Sequence, residues 1–131
     1  SQTEISELKR DFKNLIEKLS KKNKIILLYP IPEIGINLNR YLINNFYGEW
    51  QFDYNDYLSV NNEIINFFDE IDLKNLIKVK PQNKFCNKIT EKCKVYDDNN
   101  IFFSDKHHPS LKGANMINDL ILAEIKKIDF K

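Results

Sequence analysis

Residues 25–32 read IILLYPIP, and the first five of them form the longest apolar run of the chain. Continuous apolarity with β-branched residues is typical of a strand that is buried on both faces, as in a parallel sheet. Pro30 and Pro32 lack a backbone donor, so strand pairing is expected to end there and the chain to leave in an extended conformation. This stretch therefore predicts the central strand of a parallel sheet.

Helical patterns lie on both sides of this strand. In residues 4–20, apolar residues recur at steps of three and four with Lys and Glu between them, which predicts an amphipathic helix. The apolar positions are Ile5, Leu8, Phe12, Leu15, Ile16 and Leu19. Residues 56–71 predict a second helix, and LIKVKP at 76–81 predicts a second strand that Pro81 ends.

The C-terminal third adds a short strand candidate at 100–105 and a last helix at 111–127, with Ser110 as its N-cap. Helices that alternate with apolar strands predict a single α/β domain over residues 1–131, in layers, with a mainly parallel sheet. Three strands make a thin sheet, and an opening helix leads into the central strand. This order resembles the later part of a larger α/β domain, whose N-terminal part is then missing.

Residues 33–54 are rich in Asn and aromatic residues and show no clean period. They predict a long loop with one helical turn at 40–43, and long loops after a strand often carry substrate contacts. Glu33 follows the strand end and is a candidate to line the mouth of a site. Trp50 belongs to an aromatic cluster that suits stacking on a sugar ring, or else packs on the core.

Composition excludes several classes of partner and segment. The 131 residues carry 20 Lys and Arg against 19 Asp and Glu, and this near-cancellation argues against nucleic acid as the main partner. No apolar run approaches the about 20 residues that a membrane helix needs. The polar opening SQTEISELKR is not a signal peptide, and because the chain lacks an initiator Met, this absence says little about location.

Cys86 and Cys93 are the two cysteines, and they flank the polar stretch NKITEK. Unpaired cysteines prefer burial, so a close pair in a polar loop suits a disulfide and an oxidising compartment. Two reduced thiols are the alternative. A zinc site is a weaker interpretation, because the spacing is not C-x-x-C and His107 and His108 would have to converge from adjacent positions.

FFSDKHHPSLKGANMI at 102–117 contains both histidines of the chain. His108 precedes a proline and is biased to extended backbone, so the two imidazoles are expected to point in different directions. If the chain turns at Lys106 and His107, the Asp105 carboxylate approaches His108, and if it stays extended, Asp105 pairs with His107. A carboxylate on one ring nitrogen would orient the imidazole as a general base. The pattern alone also fits solvated side chains or a cap for the next helix.

This block resembles a known family. DKHHPSLKGANMI is similar to the Asp-x-x-His block of SGNH hydrolases, in the form found in SGNH domains fused to acyltransferase-3-type membrane proteins. Asp105, His108, Ser110, Gly113 and Ala114 match, whereas a proline stands where Leu is usual. The stretch IILLYPIPEIGINLNRYL resembles the family's strand and P-x-P-E loop, and FCNKITEKCKVYDDNNIFFSDKHH resembles its cysteine-flanked loop.

The resemblance implies a three-layer α/β/α fold of the SGNH or flavodoxin-like kind, with no cofactor or metal. It implies that His108 is the general base, that Asp105 orients it, and that a Ser in a Gly-Asp-Ser block is the nucleophile. The reaction would transfer an acyl group to or from a surface carbohydrate. A membrane domain of the parent protein would deliver the acyl group, at the periplasmic or extracellular face.

One departure limits what this chain is expected to do. It contains no Gly-Asp-Ser, and Ser104, next to Asp105, belongs to the same loop as the base and is expected to be structural. The chain is therefore expected to carry the base half of a site without the nucleophile half, and to be inactive alone. The alternative is a non-catalytic α/β binding module with a structural Asp-His loop, and the Asp105–His108 geometry distinguishes the two.

Overall fold

The computed structural model describes residues 1–35 and 51–128. Four helices lie in this part of the chain: α1 (Gln2–Ser20), α2 (Tyr54–Glu70), the short α3 (Gln82–Phe85) and α4 (Leu111–Lys126). Five strands accompany them: β1 (Ile25–Leu28), β2 (Gln51–Asp53), β3 (Leu76–Val79), β4 (Cys86–Asn87) and β5 (Lys92–Lys94). The helical turn expected at 40–43 lies outside the described residues.

The first sheet confirms the strand expected from the apolar run. β1 pairs with β3 in parallel register, from Ile25 opposite Leu76 to Leu28 opposite Val79. The Tyr29 amide still donates to the Val79 carbonyl oxygen, at 2.9 Å, before Pro30 removes the next donor. The parallel pair therefore ends at the prolines, and the chain after them runs toward the loop that contains the histidines.

Alternate residues of β1 pack on opposite sides of this sheet, as the two-residue period of a strand requires. Leu27 belongs to a cluster with Tyr29, Phe68 and Ile71, onto which Phe12 of α1 packs. Leu28 packs on the other cluster, which α4 joins through Ile117. That second cluster consists of Ile34, Phe85, Val95, Phe102, Phe103 and Ile117. α1 and α2 thus cover one face and α4 the other, which confirms the α/β layering.

The second sheet is antiparallel and has the order β2–β5–β4. The sequence predicted a mainly parallel sheet, but parallel pairing within residues 1–35 and 51–128 is confined to β1 and β3. The region around the cysteines, predicted to be a loop, forms the hairpin of β4 and β5. Its strands are two and three residues long, and such short strands in polar sequence carry no alternation that periodicity could detect.

The strand expected at 100–105 was wrong. Ile101 and Phe103 make only isolated antiparallel bridges, to Tyr96 and Pro109 respectively. Phe103 pairs with Pro109 because the chain reverses direction between them. Both phenylalanines of this stretch are buried, so its apolarity reflects core packing rather than a strand.

The apolar face of α1 is only partly covered. Ile16 is buried, and the Phe12 ring stacks on Phe68 at 5.7 Å between centroids. Leu8 is 71% exposed and Leu15 is 52% exposed, although both belong to the predicted apolar positions of the helix. Within the described chain β1 pairs only with β3.

Candidate active site

The histidine loop, residues 104–110, lies between the buried Phe103 and the start of α4. Phe103 forms a bridge with Pro109, and the Ser104 amide donates to the His108 carbonyl oxygen at 2.9 Å. The Ser104 hydroxyl also lies 3.3 Å from the carbonyl oxygens of His108 and Pro109. Ser104 therefore closes the turn with its own polar groups, as expected of a structural residue.

Asp105 organises this turn with its carboxylate. Its Oδ1 accepts hydrogen bonds from the backbone amides of His107, at 2.8 Å, and His108, at 2.9 Å. Both carboxylate oxygens also lie 2.9 Å from Nδ1 of the His108 ring. The chain thus adopts the turned conformation of the two alternatives, and Asp105 pairs with His108 rather than His107.

Electrostatics keep this carboxylate ionised. The hydrogen bond from the His107 amide, followed by the one from the His108 side chain, lowers the pKa of Asp105 to about 2. An ionised carboxylate only accepts hydrogen bonds, so the Nδ1 of His108 that faces it carries the hydrogen. In the neutral ring Nε2 is then the free lone pair, and within the described residues it makes no hydrogen bond.

The two histidines point in different directions, as the sequence predicted. Their rings stand at 82° to each other, with centroids 6.4 Å apart. Nδ1 of His107 lies 2.9 Å from Oε2 of Glu33, so a second carboxylate engages the second imidazole. The Ile34 amide also donates to the Lys106 carbonyl oxygen at 3.0 Å. Two contacts therefore join the segment after β1 to the histidine loop.

Ser110, the N-cap of α4, links the helix to the chain that precedes the histidine loop. Ser110 caps the helix, as predicted, because its hydroxyl oxygen accepts from the Gly113 amide at 3.1 Å. The same hydroxyl donates to the Ile101 carbonyl oxygen at 2.6 Å. A Cβ on Gly113 would lie 2.0 Å from the Phe102 carbonyl oxygen, so only glycine lets the helix approach this backbone.

A cleft of about 540 Å³ opens beside this loop. Glu33 lines the cleft and also contacts His107 of the histidine loop. The other lining residues come from the segment after β1, from β2 and from the first turns of α2: Ile34, Gly35, Gln51, Phe52, Asp53, Asp56, Tyr57, Val60 and Asn61. Trp50, the other candidate for substrate binding, lies outside the described residues.

Sequence reasoning missed most of the cleft and the partner of His107. Asp53, Asp56 and Asn61 meet Glu33 only through folding, because about twenty residues or more separate them from it in sequence. Asp53 could have been found as a helix N-cap, since its Oδ1 accepts from the Asn55 amide at 2.8 Å. Neither Asp56 nor Asn61 carries a comparable sequence signal.

The two cysteines form the disulfide that the sequence predicted. Cys86 and Cys93 are register partners of the β4–β5 hairpin, and Cys93 is fully buried. β5 also pairs with β2, which lines the cleft. The disulfide thus fixes the hairpin that holds one wall of the cleft. Over residues 1–35 and 51–128, no three His, Cys, Asp or Glu side chains converge as a metal site would require.

A family model for SGNH domains fused to AT3 domains matches residues 1–123. The chain belongs to this family. The match confirms the resemblance carried by the three sequence blocks and supports a domain of the hydrolase or acyltransferase kind that accompanies a membrane acyltransferase domain. Comparisons with curated proteins and with solved structures returned no significant match. No helix in the described part of this SGNH domain is long and apolar enough to cross a bilayer.

Proposed function

We propose that this SGNH domain carries the base half of an O-acyltransferase or esterase site, with His108 as general base and Asp105 as the residue that orients it. The observation that carries the proposal is the contact between the Asp105 carboxylate and Nδ1 of His108, at 2.9 Å. This contact leaves Nε2 free to accept a proton. A non-catalytic module would not require such an arrangement.

The chemistry follows from this orientation. Nε2 of His108 takes the proton of a serine hydroxyl as its oxygen bonds to the acyl carbon, and then returns the proton to the departing oxygen. In the second half of the reaction Nε2 takes the proton of a sugar hydroxyl as the sugar oxygen bonds to the acyl carbon, and returns that proton to the serine oxygen as the serine leaves. Water in place of the sugar gives hydrolysis. The ionised Asp105 stabilises the imidazolium in both halves.

The serine comes from outside residues 1–131 in this proposal, since the chain has no Gly-Asp-Ser block. Two exposed features support a larger domain. The side chains of His108 and Asp105 are 73% and 55% exposed, whereas active sites of this kind work when water is excluded. Within the described residues β1 pairs on one side only, and this edge, like the exposed leucines of α1, could take further structure.

The partners and location follow from the same proposal. A membrane acyltransferase domain of the parent protein supplies the acyl group, and a surface carbohydrate accepts it. The Cys86–Cys93 disulfide supports the periplasmic or extracellular face, because disulfides persist in oxidising compartments. The domain is then held near the membrane by the parent protein.

Acyl transfer by the intact parent protein tests the proposal. His108→Ala should lower the rate on the order of 10²–10⁴-fold, the range for loss of a general base. Asp105→Asn should lower the rate as well, because its amide can present a donor to Nδ1 and favour the wrong tautomer. His107→Gln is the matched control and should retain far more activity. A His108→Ala rate within tenfold of the wild-type rate would overturn the proposal.

A further inference from the structure

The cleft beside the histidine loop has the size and lining of a small-molecule site. Its volume of about 540 Å³ lies within the usual range of about 300–1,000 Å³ for ligand pockets. Phe52 and the buried Tyr57 are among its lining residues, and the Tyr57 hydroxyl already donates to the Pro30 carbonyl oxygen at 3.0 Å. The polar groups that remain for a ligand therefore come from other side chains.

The polar groups of the cleft are mostly hydrogen-bond acceptors. Among the described residues that line the cleft, three are carboxylates, two are amides, and none is Lys or Arg. Asp53 is already engaged, by the Asn55 amide and by Lys92 at 3.1 Å. Glu33 uses Oε2 for His107, and its Oε1 makes no hydrogen bond to the described residues. Within the described residues the Asp56 carboxylate accepts no hydrogen bond, so it is the most available acceptor.

This lining selects for ligand charge and shape. Sugar hydroxyls donate well to carboxylates, and the C–H face of a pyranose ring packs on apolar surface such as an aromatic ring. An anionic sugar would bring a like charge next to three carboxylates, which is unfavourable. A metal ion fits poorly, because no three metal-binding side chains converge within the described chain and much of the lining is apolar.

The cleft is also joined to the proposed base. Glu33 lines the cleft and contacts His107, which is the neighbour of His108. The backbone bond from Ile34 to Lys106 fixes the same two segments to each other. The wall of the cleft that contains Glu33 is therefore held against the histidine loop.

We propose that this cleft is the acceptor subsite, that Asp56 and Glu33 accept hydrogen bonds from the hydroxyl groups of the acceptor, and that it takes neutral or amino sugars and rejects anionic ones. This inference rests on the proposed function for its choice of substrate class. The site and its charge preference come from the cleft itself. None of these residues was marked by the family resemblance except Glu33.

Amide NMR of the 131-residue chain tests the subsite with three probes: methyl β-glucoside, glucosamine and glucuronate. The neutral and cationic sugars should shift the amides of Asp56, Tyr57 and Asn61 saturably, with a dissociation constant on the order of 1 mM for so small a ligand. Glucuronate should bind at least about tenfold more weakly. Equal binding of glucuronate, or shifts that map away from the cleft, would overturn the proposal.

Variants make the test specific. Asp56→Ala should weaken sugar binding at least about tenfold, the effect of one lost hydrogen bond to a charged group. Asp56→Asn should reduce the difference in binding affinity between glucosamine and glucuronate, because it removes one negative charge from the cleft. Asp119→Ala, which removes an exposed helical carboxylate outside the cleft, is the control and should change nothing. The dispersion of the amide spectrum shows in the same samples whether each variant is folded.

The remaining outcomes separate this proposal from the proposed function. If Ca²⁺ shifts Asp56 and Glu33 and no sugar does, the cleft is a cation site and the subsite proposal fails. If sugars do not bind but His108→Ala abolishes acyl transfer, the base assignment stands and the acceptor lies elsewhere. If sugars bind in the cleft but His108→Ala remains active, the cleft belongs to a sugar-binding module without catalysis.

Discussion

The Asp105 carboxylate accepts the hydrogen bonds that hold the histidine loop in its turn. One oxygen receives two backbone amides, and the pair of oxygens faces the His108 ring. The same carboxylate thus shapes the backbone and fixes the tautomer of the imidazole. Although the side chains of His108 and Asp105 are 73% and 55% exposed, their contact fixes which ring nitrogen of His108 carries the hydrogen.

The first residue-scale prediction concerns pH. The folded pKa of Asp105 is about 2, below the usual value of about 3.9 for an unfolded chain. A lowered pKa favours folding while the group is ionised, so this contribution is present above about pH 4 and is lost as the pH falls toward 2. The amide shifts of His107 and His108 should therefore titrate with a midpoint near 2. A midpoint near 4 would contradict the hydrogen bonds described, and retained amide dispersion elsewhere in the spectrum shows that the fold persists.

The second residue-scale prediction concerns Gly113. In an ordinary helix Gly→Ala stabilises by about 1 kcal/mol, because glycine is a poor helix former. Gly113→Ala should instead destabilise by about 1–3 kcal/mol, since its Cβ would lie 2.0 Å from the Phe102 carbonyl oxygen. Urea denaturation measures the change. The exposed neighbour, as Lys112→Ala, is the control and should stay within about 0.5 kcal/mol of wild type. A stabilised Gly113→Ala variant would show that the helix does not approach this backbone.

At the scale of elements, the two halves of the α1 apolar face differ. Phe12 packs on Phe68 of α2 and Ile16 is buried, whereas Leu8 and Leu15 are 71% and 52% exposed. Periodicity reports that a face is apolar and does not report what covers it. The pattern predicted the helix correctly and predicted more burial than the described chain provides.

Two neighbouring residues of α1 test this asymmetry. Ile16→Ala should destabilise the chain by about 2 kcal/mol, because Ile16 is only 8% exposed and its removal leaves a cavity. Leu15→Ala should change the free energy of unfolding by less than about 0.5 kcal/mol, because its side chain is 52% exposed. Denaturant midpoints of the two variants give the comparison. Equal losses would mean that Leu15 is covered in solution.

The hairpin of β4 and β5 depends on its disulfide more than on its length. Strands of two and three residues give few ladder hydrogen bonds, while the Cys86–Cys93 link closes a loop with a sequence separation of 7. Replacing both cysteines by Ala should destabilise the chain by about 2–3 kcal/mol. Reduction with dithiothreitol should reproduce that loss in the unsubstituted chain. An unchanged unfolding midpoint in both cases would show that the hairpin stands without the link.

At the scale of the whole molecule, the proposed base His108 stands in a chain that has no Gly-Asp-Ser nucleophile block. The Asp105–His108 pair is exposed. The 131-residue chain should therefore hydrolyse a simple acetyl ester at the same rate with and without His108→Ala. Hydrolysis that is measurable in wild type and lost in the variant would mean that the chain contains its own nucleophile.

Sequence and tertiary structure determined different things about this protein. The apolar run at 25–32, the helix periods and the Ser110 cap are local signals, so the sequence by itself determined the layered α/β class, the end of β1 at the prolines and the start of α4. The Asp-x-x-His block and the cysteine pair were also visible as short motifs. The expected pairing of Cys86 with Cys93 agrees with the structure.

Only the tertiary structure decided which groups meet. Asp105 pairs with His108 rather than His107 because the chain reverses direction in this loop. The Glu33–His107 contact joins residues that are 74 positions apart. The described residues that line the cleft lie at 33–35 and 51–61. Isolated bridges occur where the sequence predicted a third strand. Such contacts follow from packing between distant segments, and no local propensity or period encodes them.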